Sequence, residues 1–515
     1  MKVVLRTAWT AAVLLYLVLG TGVARTAAAQ SPGPGPTPPD NPVGVFAHLD
    51  IEDAINEYTG PPNPTTEQLH AYLRSIYAQM LANPAIAGIA LGEHWNSIES
   101  GTEGPFGTYV YNFDWSYLDD ALSAAHAAHK LLRLIITPGI YSPSFLLNEI
   151  PPCDGFFPGT SGPVLPDCGT VQFAGVPEKG ANDVYVFPLP WNTLYQNAWQ
   201  DFLQQLSARY GGWEEFGAIA IAGPVGASTE MILPTDDNDS SPQPSGEKVN
   251  EMWETLIENS LPDNQDYWHN DRVFIDLWEQ TIDLYEKVFT GVALDLTPDA
   301  GDALPGFSSA LPPNLPALYS SDCSATIDVM SCEAKVEVIT YLINAQGPNG
   351  KATQVGGLTA SGKSDTVPGD IGLIGVKLLT SLTPQPPIPI RGGAEFDYPV
   401  SDSKTTEQEG CPPPGAPCSI TPEQAAYNVL TVFFNGTPAG SFYGGTSGPA
   451  PIQYVDIDYT DVQYAEANPC PPAPSSTLGE TSLQDLLNRA SQSLLQIAHP
   501  YSNIPVTPPT CKGIH

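Results

Sequence analysis

IAGIALGEHW (residues 86–95), WSYLDDALSAAHAAH (115–129) and LLRLIITPG (131–139) decide the fold. The first and third are short apolar runs closed by polar or Pro-Gly positions, the pattern of buried strands. Between them lies an amphipathic stretch of helical length. Strand, helix and strand in that order form a crossover unit, and crossover units join parallel strands.

The unit repeats along the chain. Further strand candidates are VGVFAHLD from Val43, FGAIAIAGP from Phe216, FTGVALDLTPD from Phe289, KATQVGGLTA from Lys351, PIRGGAEFD from Pro389 and IQYVDIDYTD from Ile452. Helical stretches fall between and after them, at 66–81, 194–210, 272–288, 327–345, 371–382, 422–434 and 482–497. Two have clear starts: Thr65 and Thr66 lead into Glu67, and Thr421-Pro422-Glu423 sets a cap before Pro at the first helical position. Strict alternation of strands and helices predicts an α/β fold, a single (β/α)8 TIM barrel. An open, doubly wound sheet is the structural alternative. The Pro- and Cys-rich insertions at 150–190, 298–323 and 401–418 read as long loops on that scaffold.

Composition narrows the function. The 515 residues carry 19 Lys and Arg against 56 Asp and Glu, a formal charge of −37. Nucleic-acid binding rests on basic side chains that neutralise phosphates, so this charge argues against a nucleic-acid partner and against an anionic membrane surface. Pro (54) and Gly (46) make up about a fifth of the chain, below the roughly 25–30% of low-complexity sequences. With 42% hydrophobic residues, the chain can bury a large core.

The first 29 residues read as a secretory signal peptide. Lys2 and Arg6 begin it, residues 8–19 are apolar, and Ala27, Ala28 and Ala29 offer a small-residue cleavage site. A Pro-rich linker follows over 30–42, and residues 43–515 form the barrel. Once the signal is cleaved no membrane association is expected, and the mature protein is expected to be secreted. Eight cysteines fit an oxidising compartment. Their proximity pairs Cys153 with Cys168, Cys323 with Cys332, Cys411 with Cys418 and Cys470 with Cys511, as staples on loops. Asn238 and Asn435 begin glycosylation sequons.

In a barrel of this type the chemistry sits at the carboxyl ends of the strands. Those positions are rich in carboxylates and aromatic rings: His48, Asp50 and Glu52 after the first strand, then Glu93, His94 and Trp95 after the second. Tyr141, Glu230 and Asp295 follow the next three; Glu395 and Asp397 end the seventh, and Asp456, Asp458 and Asp461 the eighth. No basic side chain on the third to sixth strands reads as equally well placed. Such a mouth suits a neutral polyhydroxylated ligand, with rings stacking on sugar faces and carboxylates accepting hydroxyl hydrogen bonds.

GIALGEHWNSIES and the following YNFDWSYLDDALSAAHAAHKLLRLIITPGIYSPSFL resemble the second-to-third strand region of clan A glycoside hydrolases. Trp95, Ile98, Glu99, Asp114, Trp115, Leu118 and Asp119 fall on that pattern, over about residues 86–147. The resemblance implies a glycosidase with catalytic glutamates after the fourth and seventh strands, here Glu230 in GPVGASTEM and Glu395 in RGGAEFD. Glu395 would be the nucleophile of a retaining mechanism and Glu230 its acid/base, held protonated by apolar surroundings or a neighbouring charge. Two features depart from the clan: Thr229 stands where the acid/base commonly follows Asn, and the usual Arg near the end of the second strand is not obvious. The stretch leading to Glu230 is also similar to the fourth-strand loop of beta-amylases, which are inverting.

Substrate-binding candidates are Glu93, His94, Trp95, Tyr141, Asp295, Tyr398 and Asp458. Trp95 reads either as a sugar platform or as packing on the barrel top, Glu93 as a ligand contact or a partner of His94, and Asp295 as a ligand contact or a cap. The spacing of Asp456, Asp458 and Asp461 fits a strand face better than a calcium loop. No metal or cofactor is expected. GLTASGKS (357–364) matches the phosphate-loop spacing. Asp365 and Pro368 interrupt the helix such a loop requires, so a chance match is expected. A barrel that binds carbohydrate without cleaving it is the rival reading.

Overall fold

The computed structural model describes residues 42–103, 109–156, 166–176, 183–236, 239, 241–261, 272–297, 304–305, 334, 337–338, 341–342, 353–355, 392–395, 421–424, 426–427, 430, 452–468 and 482–498. Outside them lie the expected signal peptide, nearly all of the expected linker, the phosphate-loop look-alike, the stretch 371–382, Tyr398, both sequon asparagines and six of the eight cysteines. The remaining pair is bonded: Cys153 and Cys168 form the expected disulfide.

Eight parallel strands close into a barrel. They are β1 (Gly44–Asp50), β2 (Ile86–His94), β5 (Leu131–Thr137), β8 (Phe216–Ala220), β9 (Ala293–Leu296), β10 (Thr353–Val355), β11 (Gly392–Glu395) and β12 (Ile452–Asp458). Chain order is also spatial order, and β12 closes on β1 with Gly44 beside Tyr454 and His48 beside Asp458. Each expected strand overlaps one of these. Two antiparallel hairpins are added: β3 (Glu99–Glu103) with β4 (Tyr109–Phe113) after β2, and β6 (Thr170–Ala174) with β7 (Val184–Pro188) after β5.

Side chains alternate between the two faces of a strand, and β1 shows the result. Val45, Ala47 and Leu49 join the core between sheet and helices, whereas Phe46 meets Ala90 and Tyr454 in a separate cluster inside the barrel. The helix Thr66–Ala82 begins with a capping box: Gln68 N–H donates to the Thr65 hydroxyl, and the Gln68 side chain accepts from Thr65 N–H at 2.8 Å. It buries Leu73, Ile76, Tyr77 and Met80. The helix Ser116–Ala128 ends at His129 in a left-handed conformation, φ 54°. The last helix, Leu483–Ala498, lies against β1 and β12. Its Gln484 exchanges reciprocal amide hydrogen bonds with Asn83 just before β2, at 2.8 and 3.0 Å.

Candidate active site

Inward-facing residues at the carboxyl ends of β1, β2, β5, β8 and β9 surround a cavity of about 480 Å³. Its floor is a buried ion cluster. Arg133, in the middle of β5, sends Nη1 to both carboxylate oxygens of Asp456 on β12 and Nη2 to Asp295 on β9. Tyr454 adds its hydroxyl to the two oxygens of Asp295 at 2.8 and 2.9 Å, and its ring lies 3.8 Å from the Arg133 guanidinium carbon. Burial alone would lower the Arg133 pKa, but Asp456, Tyr454 and Asp295 push it well up. The guanidinium therefore stays cationic, which a buried carboxylate pair requires.

One wall comes from β1. His48 and Asp50 face the cavity, and Asp50 also caps the short helix Ile51–Asn56 by accepting from Glu52 N–H at 2.9 Å. That cap fixes Glu52, whose Oε2 lies 2.7 Å from His94 Nδ1. The His94 ring is stacked on Tyr141, centroids 3.4 Å apart and planes 9° from parallel. Tyr141 ends a single 3-10 turn, Gly139–Tyr141, that only a glycine can open: Gly139 has φ +63°, and a Cβ there would meet Gly226 O at 2.2 Å. Ile140 N–H donates to that same carbonyl at 3.1 Å.

The contact leads to Glu230. It sits on the segment after β8, tied by Gly226 N–H to Ile232 O (2.9 Å) and Met231 N–H to Thr297 O (3.2 Å). Glu230 lines the cavity with Ser228 and Thr229, on the same cavity as His94, Tyr141 and Asp295. Glu395 is the last residue of β11, and its backbone pairs in register with Asp456.

Trp95, Asp458 and Glu93 stand away from this cavity. Trp95 is wholly buried, packed on Trp199 and Phe202 with Nε1 donating to Glu99 Oε2 at 2.7 Å, so its ring lines no part of the cavity. The choice between platform and packing falls to packing, and the ring that stacks at the mouth is Tyr141. Asp458 caps the helix Tyr459–Ala467, accepting from Thr460 N–H at 2.7 Å and from its hydroxyl at 2.6 Å. Asp295 caps no helix among the described residues; it is one of the two carboxylates of the floor's ion cluster and lines the cavity.

Glu93 faces away from the mouth into a second cavity of about 450 Å³, walled by Ile51, Ile55, Asn96, Ser97 and Tyr117 and sharing Glu52, His94 and Tyr141 with the first. Its Oε1 accepts from His94 N–H at 2.8 Å. Burial, aided by the charges of Asp50 and Glu52 and opposed by hydrogen bonds from His94 and Ser97, pushes its pKa up to about 8. Glu99 is pushed up to about 7 by burial, against the hydrogen bond from Trp95.

Arg133 corrects the expectation that no basic side chain on the third to sixth strands is well placed. The signal was present: one charge within the apolar strand LLRLIIT cannot be buried without carboxylate partners. The Glu52–His94 pair was also missed, because it joins a helix start to the next strand.

No protein-family model matches the chain, and no curated protein matches it. Among solved structures it is similar to an endo-beta-1,4-xylanase from Gloeophyllum trabeum, at 11% identity over 88% of this chain and 96% of that chain, TM-score 0.39. It is similar to a beta-galactosidase from Marinomonas ef1 at 11% identity, 63% of this chain and 42% of that chain, TM-score 0.29. An old yellow enzyme homologue from Zymomonas mobilis shares 12% identity over 69% of this chain and 78% of that chain, TM-score 0.33. The chain spans less than half the length of the beta-galactosidases it matches. At such identities and scores the likeness carries nothing about chemistry. By its own strand pairing, the protein is an α/β chain on a closed, parallel TIM-type barrel.

Proposed function

We propose that the chain is a glycoside hydrolase that cleaves an O-glycosidic bond in the cavity at the carboxyl end of its barrel. One observation carries the reading: Glu230 lines that cavity together with Asp50, Glu52 and the stacked His94 and Tyr141 rings. Carboxylates around a polar cup accept hydrogen bonds from sugar hydroxyls, and a ring at the rim covers a sugar face. Glu230 donates a proton to the glycosidic oxygen while Glu395 attacks the anomeric carbon. Water then releases the sugar, with Glu230 taking back a proton. Arg133, Asp295 and Asp456 form a rigid base beneath the reacting sugar. Reading the amino terminus as an export signal puts this work outside the cytoplasm, in keeping with the disulfide. No helix among the described residues is long and apolar enough to cross a membrane.

The test is hydrolysis of a panel of aryl glycosides by the parent, Glu230→Gln and Glu395→Gln. The expected loss is at least about 10²-fold for each variant. With Glu395→Gly, which vacates the nucleophile's place, a glycosyl fluoride of inverted configuration should transfer its sugar to an acceptor hydroxyl, releasing fluoride, in place of hydrolysis. A parent that binds oligosaccharide but cleaves no member of the panel would make the barrel a carbohydrate-binding protein instead.

A further inference from the structure

The two cavities differ in character although they share a wall. The first is lined mostly by charged and polar groups, with Arg133 at its base and Asp50, Glu52 and Glu230 around it. The second is framed by Ile51, Ile55 and the ring of Tyr117. Its buried acid, Glu93, is pushed toward the protonated form by burial, and the Glu52 carboxylate stands only at the wall shared with the first cavity. Between the cavities stands the His94–Tyr141 stack, braced by Glu52, and each of these three side chains touches both spaces. A ligand filling both must be hydrophilic at one end and apolar at the other.

We infer that the second cavity takes the apolar aglycone of a glycoside whose sugar occupies the first. This rests on the glycosidase reading and narrows its substrate class, from saccharides in general to sugars linked to an aryl or alkyl group. Ile55 and Tyr117 supply apolar contact for that group. Asn96 and Ser97, both exposed at the rim, can bond a phenolic or alcoholic oxygen on it.

The test is calorimetric binding of matched methyl and phenyl glycosides of several sugars to Glu395→Gln, in which the proposed attack on the anomeric carbon is blocked and the ligands stay intact. The inference expects the phenyl member of the recognised sugar to bind about tenfold tighter or more, the return on burying most of a ring. Asn96→Trp, which fills the cavity from an exposed position, and Ile55→Gln should each bring the phenyl-to-methyl ratio to within about twofold. Circular dichroism checks that both variants fold. Equal binding of phenyl and methyl glycosides overturns the aglycone site and leaves the glycosidase reading standing. So does a phenyl advantage that survives both substitutions. If no member of any pair binds, both readings fail together.

Discussion

Glu93→Gln isolates the electrostatics of the buried second cavity. In the folded protein this carboxyl sits near pKa 8 against an ordinary 4.5, so the fold keeps a proton that the unfolded chain releases. A carboxyl raised in the folded state contributes stability that is fully present below about pH 4.5 and is lost as pH rises through about 8. At about 1.4 kcal/mol per pH unit, the complete span corresponds to about 5 kcal/mol, an upper bound because the adjoining cavity admits water. Gln keeps the shape of the side chain and its oxygen still accepts from His94 N–H, but it never ionises. The variant should match the parent near pH 4.5 and exceed it by about 3 kcal/mol at pH 8. Urea denaturation followed by tryptophan fluorescence, in half-unit steps from pH 4.5 to 8.5, measures both curves. Glu99, pushed up to about 7, adds a smaller decline of the same sign that persists in both proteins, so only the difference between curves matters. Parallel curves across the range would refute the reasoning, since Glu93 would then ionise as freely in the fold as outside it.

Two further outcomes follow from the site's supports. Arg133→Met leaves Asp295 and Asp456 together inside the barrel without their cation and should cost about 3–5 kcal/mol in urea denaturation. Arg133→Lys should recover only part, because one ammonium lacks the fork that serves two carboxylates; a loss below about 1 kcal/mol in the Met variant would mean the cluster is not the buried pair described. Gly139→Ala forces a Cβ onto Gly226 O and should cost more than about 1 kcal/mol. It should also loosen the segment carrying Glu230, seen as faster hydrogen exchange at Ile140 and Gly226, and unaltered exchange would show that this turn does not hold the segment.

The barrel was legible because strands covered on both faces are written as nearly continuous apolar runs. LLRLIIT and FGAIA announce themselves in this way. The hairpin strand ESGTE does not: it carries little strand propensity, and its pairing with YVYNF is fixed by its surroundings. The site was legible by neighbourhood but not by direction. His94 faces the barrel interior, and Glu93 stands one residue before it on β2, so strand alternation turns Glu93 to the other face, whereas Trp95 has already left the strand and opens the short helix Trp95–Ile98 on its buried side. Trp95 consequently becomes core, and Glu93 lines a different space. Counting parity from Arg133 along β5 would likewise have placed Ile135 and Thr137 on the cavity wall, where both lie.

The ion cluster under the cavity also governs how the molecule can be assembled. Its carboxylates lie 162 and 323 residues beyond Arg133, so a chain still emerging carries that cation without its full pair of counter-charges until the last barrel strand arrives. Every partly wound form leaves the guanidinium short of one or both carboxylates, and only the finished ring supplies both. Zipping from the amino end therefore gains little until the circle is complete. A chain threaded unfolded through a translocation pore would be kept open by the same arithmetic, and would snap shut only on the far side.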